Sequence, residues 1–301
     1  MRPTLFILAA AILPAAPQSQ PTTSSQPAAR GPMNPFFALA TATGEAEHAS
    51  YETQAKLMRE LGLAGWAPSG VQSVPEMLKA LDDQGLKMFA LYVGINVDPD
   101  QPPYDPKLKD VVHALEGRDT ILWLHVLSKK YKPSATGGDD RAVTIIREIA
   151  DLAAKAHLRV ALYPHVGFYV ARVEDAVRLA RKVQRPNVGV TFNLCHWLSL
   201  DHGQNMEPLL RLAMPHLMLV TINGADSEGP GWDRLIQVLG RGDFDVYGFL
   251  KTLRKLGYTG PVGLQGYGLK GDVHENLKAS MNAWRTYAAR LAAEESSLAP
   301  P

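Results

Sequence analysis

The chain has 301 residues, is 46% hydrophobic, and sets 31 basic side chains against 30 acidic ones. That balance excludes the basic footprint of a nucleic-acid binder and the polybasic face of a protein that lies on anionic membranes. A single cysteine, Cys195, excludes an internal disulfide and any cysteine-built metal centre.

Residues 1–16 open with Arg2 and the apolar run TLFILAAAILPAA, a charge-then-apolar pattern that reads as a signal peptide and is too short to span a bilayer. Residues 17–35, rich in Pro, Ser, Thr and Gln, read as a linker that cannot build a core. The apolar run is not followed by a cysteine, so no lipid anchor is expected. The mature protein is expected to be periplasmic or secreted, with no membrane anchor.

From Phe36 onward short apolar runs alternate with amphipathic stretches of helical period. FFALATAT (from Phe36) reads as the first strand and YETQAKLMRELG (from Tyr51) as its helix. LAGWAP and SVPEMLKALDDQG follow, with Ser73 and Glu76 at the spacing of a capping box. The third strand is LKMFALYVGINV, from Leu86 to Val97, before the helix DPKLKDVVHALEG. TILWLHVLS with DDRAVTIIREIADLAAKAH, and LRVALYPHVG with VEDAVRLARKVQ, supply the fourth and fifth units. The sixth strand is VGVTFNLCHWL, Val188 to Leu198, with His196 in the loop just past its polar end, and MEPLLRLAM follows. HLMLVTING is the seventh, with DFDVYGFLKTLRKLG after a longer loop. GPVGLQGYG is the eighth, and a helix runs from Val273 to about Glu294, leaving 295–301 as a disordered tail.

Eight such units over 36–294 predict an α/β protein, a single (β/α)8 TIM barrel. A doubly wound open sheet is the alternative. It normally carries a Gly-rich phosphate turn after its first strand, and ATATGEAEH lacks that pattern.

In a barrel the site lies at the C-terminal ends of the strands, and period-two alternation sorts inward from outward residues. His125 ends the fourth strand in register with Trp123. Tyr163 and His165 share a face of the fifth, Thr191 and Asn193 of the sixth, Thr221 and Asn223 of the seventh, Gln265 and Tyr267 of the eighth. Singly, each has a bland use: a histidine as hydrogen-bonded scaffolding, Asn193 as a turn cap, Gln265 as a partner for loop backbone. Together they make a polar mouth in an apolar barrel, and buried polar groups need partners, so a polar ligand is expected.

The segment LGRGDFDVYGFLKTLRKLGYTGPVGLQ resembles the last third of the xylose isomerase-like barrels, the sugar phosphate isomerase/epimerase superfamily that also includes endonuclease IV. Gly240, Gly242 and Asp243 match its GxGD turn, and Gly257, Tyr258, Gly260 and Pro261 its GYxGP entry to the last strand. The resemblance implies a divalent cation held by acids on strands five, six and eight, with a histidine on strand seven often helping. Aligned by motif, those positions hold Tyr163, Asn193, Gln265 and Thr221, and only His196, which follows the strand-six acid in the family, is kept. Hard cations are held largely by carboxylate charge, so the inherited site is expected to be lost.

A site of histidines and amides suits a neutral, hydroxyl-rich ligand, and a small-molecule carbohydrate is the expected partner, with no nucleic acid. Trp66, Trp197, Tyr169 and Tyr267 are the candidate apolar faces for its ring. The first reading is an exported sugar isomerase, epimerase or lyase, with His165 or His196 as base and Asn193, Asn223 or Gln265 holding the developing oxyanion. His125, Tyr163 and Thr221 complete its candidate binding set. No cofactor is required, although zinc or manganese on His125, His165 and His196 is a variant. The loop acids Glu45, Glu47, Asp98, Asp226 and Asp272 are other candidates to swing in. The second reading is a non-catalytic carbohydrate-binding TIM barrel that has lost its charged ligands. DNA repair of the endonuclease IV type fits neither the charge nor the expected export.

Overall fold

The structure, a computed structural model, describes residues 34–44, 50–227, 229 and 231–298, the last three by backbone alone. The expected signal peptide, linker residues 17–33, and the loop acids Glu45 and Glu47 lie outside the described residues. Asn34 and Pro35, expected as linker, are already tied in: Pro35 accepts the Val262 N–H at 2.9 Å and Asn34 donates to the Gly260 carbonyl at 2.6 Å.

Nine parallel strands form the sheet: β1 (Phe36–Leu39), β2 (Gly65–Ala67), β3 (Lys87–Met88), β4 (Ala90–Asn96), β5 (Ile121–Leu127), β6 (Arg159–Tyr163), β7 (Val188–Asn193), β8 (Leu217–Ile222) and β9 (Val262–Leu264). Their order is β3-β2-β1-β9-β8-β7-β6-β5-β4. The two end strands, β3 and β4, are consecutive in the chain and separated only by Phe89. They are the expected third strand, broken once. Phe89 and Ala90 both belong to the cluster inside the sheet, so the alternation slips by one residue there, as at a bulge. The Phe89 N–H reaches the Trp66 carbonyl at 2.8 Å while its own carbonyl accepts from Ile121 at 3.0 Å. Further out, Tyr92 donates to Pro68 at 2.9 Å and accepts from Gly70 at 2.8 Å, which joins β4 to the chain beyond β2 and closes the barrel.

Helices α1 (Tyr51–Leu61), α2 (Val74–Asp83), α3 (Leu108–Ala114), α4 (Asp139–Lys155), α5 (Val173–Val183), α6 (Leu194–Asp201), α7 (Met206–Ala213), α8 (Trp232–Leu235), α9 (Val246–Lys255) and α10 (Val273–Leu298) connect the strands. In α4 the buried residues Ala142, Ile145, Ile146, Ile149, Ala150 and Ala153 recur at helical spacing, which is why its stripe seals onto β5 and β6. None of the described helices is long and apolar enough to cross a membrane.

Four expectations need correction. The sixth strand stops at Asn193, and Leu194–Asp201 is helix α6, so His196 sits in a first helical turn rather than a loop. Its neighbours Leu194, Cys195, Trp197 and Leu198 are all buried, an all-round apolar composition that suits a short interior helix as well as a strand. Ser73 precedes α2 at φ +52°, and its hydroxyl makes no cap bond, so no capping box forms. α8 lies within the expected long loop. The final helix runs on to Leu298, through part of the expected tail.

The segment after β6 is held from outside the barrel. Tyr169 takes the Val126 carbonyl with its N–H at 2.9 Å, and its hydroxyl donates to Asp139 at 2.6 Å. Asp139, 2% exposed, also accepts from Lys182 at 2.7 Å and Arg178 at 3.1 Å. Removing one partner of such a buried network strands the others. Asp139→Ala is expected to lower unfolding stability by roughly 3 kcal/mol in urea titration; a loss within error would show that the α4–α5 ion cluster is solvated.

Candidate active site

The strands carry two unlike faces inward. Toward the N-terminal end, Phe37, Phe89, Ile121 and Leu219 fill the barrel, with Phe37 stacked on Phe89 at 4.8 Å, while Leu39 and Ala67 end β1 and β2 against the space above. Above them Trp123 donates its indole N–H to Thr191 at 3.1 Å, and Thr191 also receives Asn193. Over this layer opens a cavity of about 750 Å³ at the C-terminal ends of the strands.

Six of the expected residues line that cavity: His125, Tyr163, His165, His196, Gln265 and Tyr267. The Tyr163 hydroxyl and His196 Nε2 are 2.8 Å apart. His165 lies tilted at 45° to His196, ring centroids 4.0 Å apart, and stacks on Phe168 at 3.9 Å. Its Nδ1 meets the Val166 carbonyl at 2.7 Å, a contact that requires the proton on Nδ1 and leaves the Nε2 lone pair without a bond among the described residues. His125 stacks on Tyr92 at 4.2 Å, and Gly94 leaves its room: a Cβ there would come within 2.8 Å of His125 Nε2. Gln265 is fixed from outside the cavity, its Oε1 accepting from the Gly266 and Tyr267 N–H groups at 2.9 and 3.0 Å and from the Thr41 hydroxyl. That orientation leaves its amide to donate toward Tyr163.

Four expected residues do not reach the cavity. Trp66 points outward, against Tyr51 of α1, because Gly65 and Ala67 take the inward register of β2. Asn193 and Thr221 face inward but bind each other: Thr221 donates to Asn193 Oδ1 at 3.1 Å, and Asn193 donates to the Pro164 carbonyl at 3.0 Å. Asn223 donates to the Gly224 and Leu235 carbonyls, both at 2.7 Å, and so pins α8. With their N–H groups used in this way, Asn193 and Asn223 are unavailable to hold an oxyanion. The other expected ring faces are also scaffolding: Tyr169 serves Asp139, and the Trp197 indole donates to the Gln204 carbonyl at 3.2 Å.

Of the loop acids, Asp98 receives Ser128 and the Lys129 N–H, Asp226 pairs with Arg234, and Asp272 caps the start of α10. The carboxylate that does line the cavity is Asp105, which lies beyond β4 together with Tyr104. Sequence reading also missed Thr41, Tyr92 and Trp232. Tyr92 was accessible to it, since Tyr92 and Gly94 alternate on one face of the third strand. Trp232 lies in a loop, where no period reports direction.

His125, His165 and His196 do not form a metal-ligand group; among the described residues no three His, Cys, Asp or Glu side chains do. One ring stacks on Tyr92, one on Phe168, and the third gives its Nε2 to Tyr163. All three are pushed toward the neutral form. Burial lowers each, the charge of His165 adds to the effect on His125 and His196, and the Val166 carbonyl partly opposes it at His165. Burial also raises the Tyr163 phenol well above its ordinary value. The floor is therefore an uncharged set of hydrogen-bonding groups in which the His165 Nε2 lone pair is open and the buried Nδ1 atoms of His125 and His196 also have no partner among the described residues.

A parallel barrel with a polar pocket at the C-terminal mouth defines the TIM-barrel class. Residues 55–287 match the family model described as xylose isomerase-like TIM barrel, and the chain belongs to that family. A ketose 3-epimerase of Arthrobacter globiformis is 26% identical over 181 residues, 58% of each chain, so the chain spans well under two thirds of that relative. The solved structure of an L-ribulose 3-epimerase superimposes with a TM-score of 0.72 at 12% identity, covering 89% of this chain and 99% of that one. The IolI protein, solved with a binding zinc atom, gives 0.70 at 19% identity, over 86% and 99%.

His125 should titrate near pH 4 rather than 6.5 when followed by its imidazole NMR shifts. Between those values the unfolded chain binds a proton that the folded chain refuses, so unfolding free energy falls as the pH drops through that window and levels below it. A midpoint near 6.5 would mean that the ring is hydrated and not stacked.

Proposed function

We propose that the protein is an exported carbohydrate-active enzyme of the sugar isomerase/epimerase type, acting by proton transfer next to a carbonyl, or by a related elimination, on a neutral sugar or sugar derivative. The observation that carries this reading is the free Nε2 of His165 beside the Tyr163–His196 pair in the cavity at the C-terminal ends of the strands. Family membership and the sugar epimerases among the relatives support the substrate class. Export rests on the apolar, Arg2-led residues 1–16.

Proton abstraction α to a carbonyl breaks a C–H bond, moves its electron pair into a new C=C bond and leaves the carbonyl oxygen negative. His165 Nε2 takes that proton and becomes imidazolium; it then returns the proton to the former carbonyl carbon while the proton of the α-hydroxyl passes to the former carbonyl oxygen, so the carbonyl moves by one carbon and His165 is neutral again. The mobile hydroxyl proton of Tyr163 and the imidazole of His125 are positioned to stabilise the oxygen, and Gln265 holds Tyr163 in place. In this role His196 is the partner of Tyr163 rather than a second free base.

The donor set does not suit the family's hard cation. Tyr163, Asn193, Thr221 and Gln265 are uncharged, the Asn193 and Gln265 oxygens already accept protein donors, and His196 Nε2 is engaged. We therefore read the metal site as degenerate and the proton transfer as metal-independent.

The test joins elemental analysis of the purified protein to turnover and binding assays on a panel of ketoses and keto-glycosides. Expected are no stoichiometric zinc or manganese, solvent deuterium incorporated at a carbon next to the carbonyl, and a kcat lowered about 100-fold or more by His165→Ala. The acid limb of kcat/KM should have its midpoint below 6.5, because burial favours the neutral base. Stoichiometric metal would overturn the metal-independent mechanism. Sugar binding without exchange or turnover would reduce the protein to a carbohydrate-binding barrel.

A further inference from the structure

The cavity changes character between floor and mouth. Its floor is His125, Tyr163, His165, His196, Gln265 and Thr41, all with hydrogen-bonding atoms. Its mouth, built by segments beyond the strand ends, is Val71, Tyr104, Leu108, Trp232, Ile236 and Tyr267. Val71, Leu108 and Ile236 are buried within the fold yet face this space, and Tyr267 is the large apolar side chain left most exposed, at 58%.

Three of the polar groups of the mouth are turned away from a ligand or occupied. The Tyr104 hydroxyl donates to Glu148 at 2.6 Å, which presents the ring and not the oxygen to the opening. Gln72 Oε1 accepts from Lys107 Nζ at 2.7 Å, and Asp105 Oδ1 accepts the Lys107 N–H at 2.9 Å. Size points the same way. At about 750 Å³ the cavity falls in the upper part of the roughly 300–1,000 Å³ that holds drug-sized ligands, more than a lone sugar ring fills.

We infer that the mouth is a subsite for an apolar, ring-shaped aglycone, so that the substrate is a keto-glycoside of an aromatic or similarly apolar group, its sugar ring, which carries the keto carbon that the proton transfer needs, on the floor and its aglycone between Leu108, Ile236 and the ring faces of Tyr104, Trp232 and Tyr267. This rests on the reading of the floor as a sugar site and adds what the sugar carries. Apolar walls with few open donors favour a flat apolar group over a second, hydroxyl-rich sugar, whose hydroxyls would lose water without replacement.

The experiment is isothermal titration of the full-length protein with glucose, methyl glucosides and p-nitrophenyl glucosides of both anomers, and the matching galactosides. The aryl glycoside should bind at least about tenfold more tightly than the methyl glycoside of the same sugar and anomer. Leu108→Asp should shrink that ratio several-fold. Because Leu108 is buried, Tyr267→Ala, at an exposed position, repeats the test without threatening the core, and near-ultraviolet circular dichroism checks both variants for a native fold. Equal affinity for aryl and methyl glycosides, or an unchanged ratio in both folded variants, would overturn the aglycone subsite and leave the sugar site standing. Failure of every sugar and glycoside to bind would remove the sugar reading and the subsite with it.

Discussion

The hydrogen bond between Tyr163 and His196 forms where water is excluded, and its neighbours are arranged around it. Inside a barrel a polar atom left without a partner costs on the order of 1–3 kcal/mol, so each inward polar side chain must find one. Gln265, held by two backbone N–H groups and Thr41, donates toward Tyr163, and Tyr163 meets His196. Asn193, Thr191 and Thr221 settle the same problem one layer away by bonding each other. These pairings sort the inward polar residues into scaffolding, whose N–H groups are taken up within the fold, and a smaller group still open to a ligand.

His165 is open because its loop, not its strand, sets its direction. The chain turns back after β6, with the His165 N–H on the Val170 carbonyl at 3.0 Å and Nδ1 on Val166 at 2.7 Å. Tyr169 then anchors the turn to Asp139 at the start of α4. A buried ion cluster on the outside of the barrel thus fixes a free lone pair on the inside. Burial favours the unprotonated form of that lone pair, and the rings of Phe168, His196 and Tyr163 packed against His165 supply the burial.

An uncharged set of inward polar side chains has a physical logic of its own. A cluster of carboxylates at the mouth would repel itself without a cation, whereas Tyr163, Asn193, Thr221 and Gln265 are compatible with each other in an apolar setting. The cavity can then be bounded by rings and aliphatic side chains without stranding a charge. On the proposed reading, floor and mouth act together: neutral donors and acceptors hold the sugar and the apolar walls cover its aglycone.

Periodicity alone revealed the strand–helix alternation, the amphipathic helices and the residues at the strand ends, because hydrophobic patterning is a local consequence of burying one face. It also placed His125, Tyr163, His165, Gln265 and Tyr267 at the mouth, since period two fixes their side once the fold is known. It misread Leu194–Asp201, where an interior helix and a buried strand look alike, and it put Trp66 inward where one register step turns it outward. Whether an inward amide is free or consumed was not legible at all: Asn193 meets Thr221 across 28 positions of sequence, and Gln265 meets Thr41 across 224. The sequence by itself determined the barrel and the uncharged character of the strand-end residues on its cavity floor. Only the tertiary structure decided which of those groups remain available to a ligand, because hydrogen-bond satisfaction depends on partners that the fold alone brings within reach.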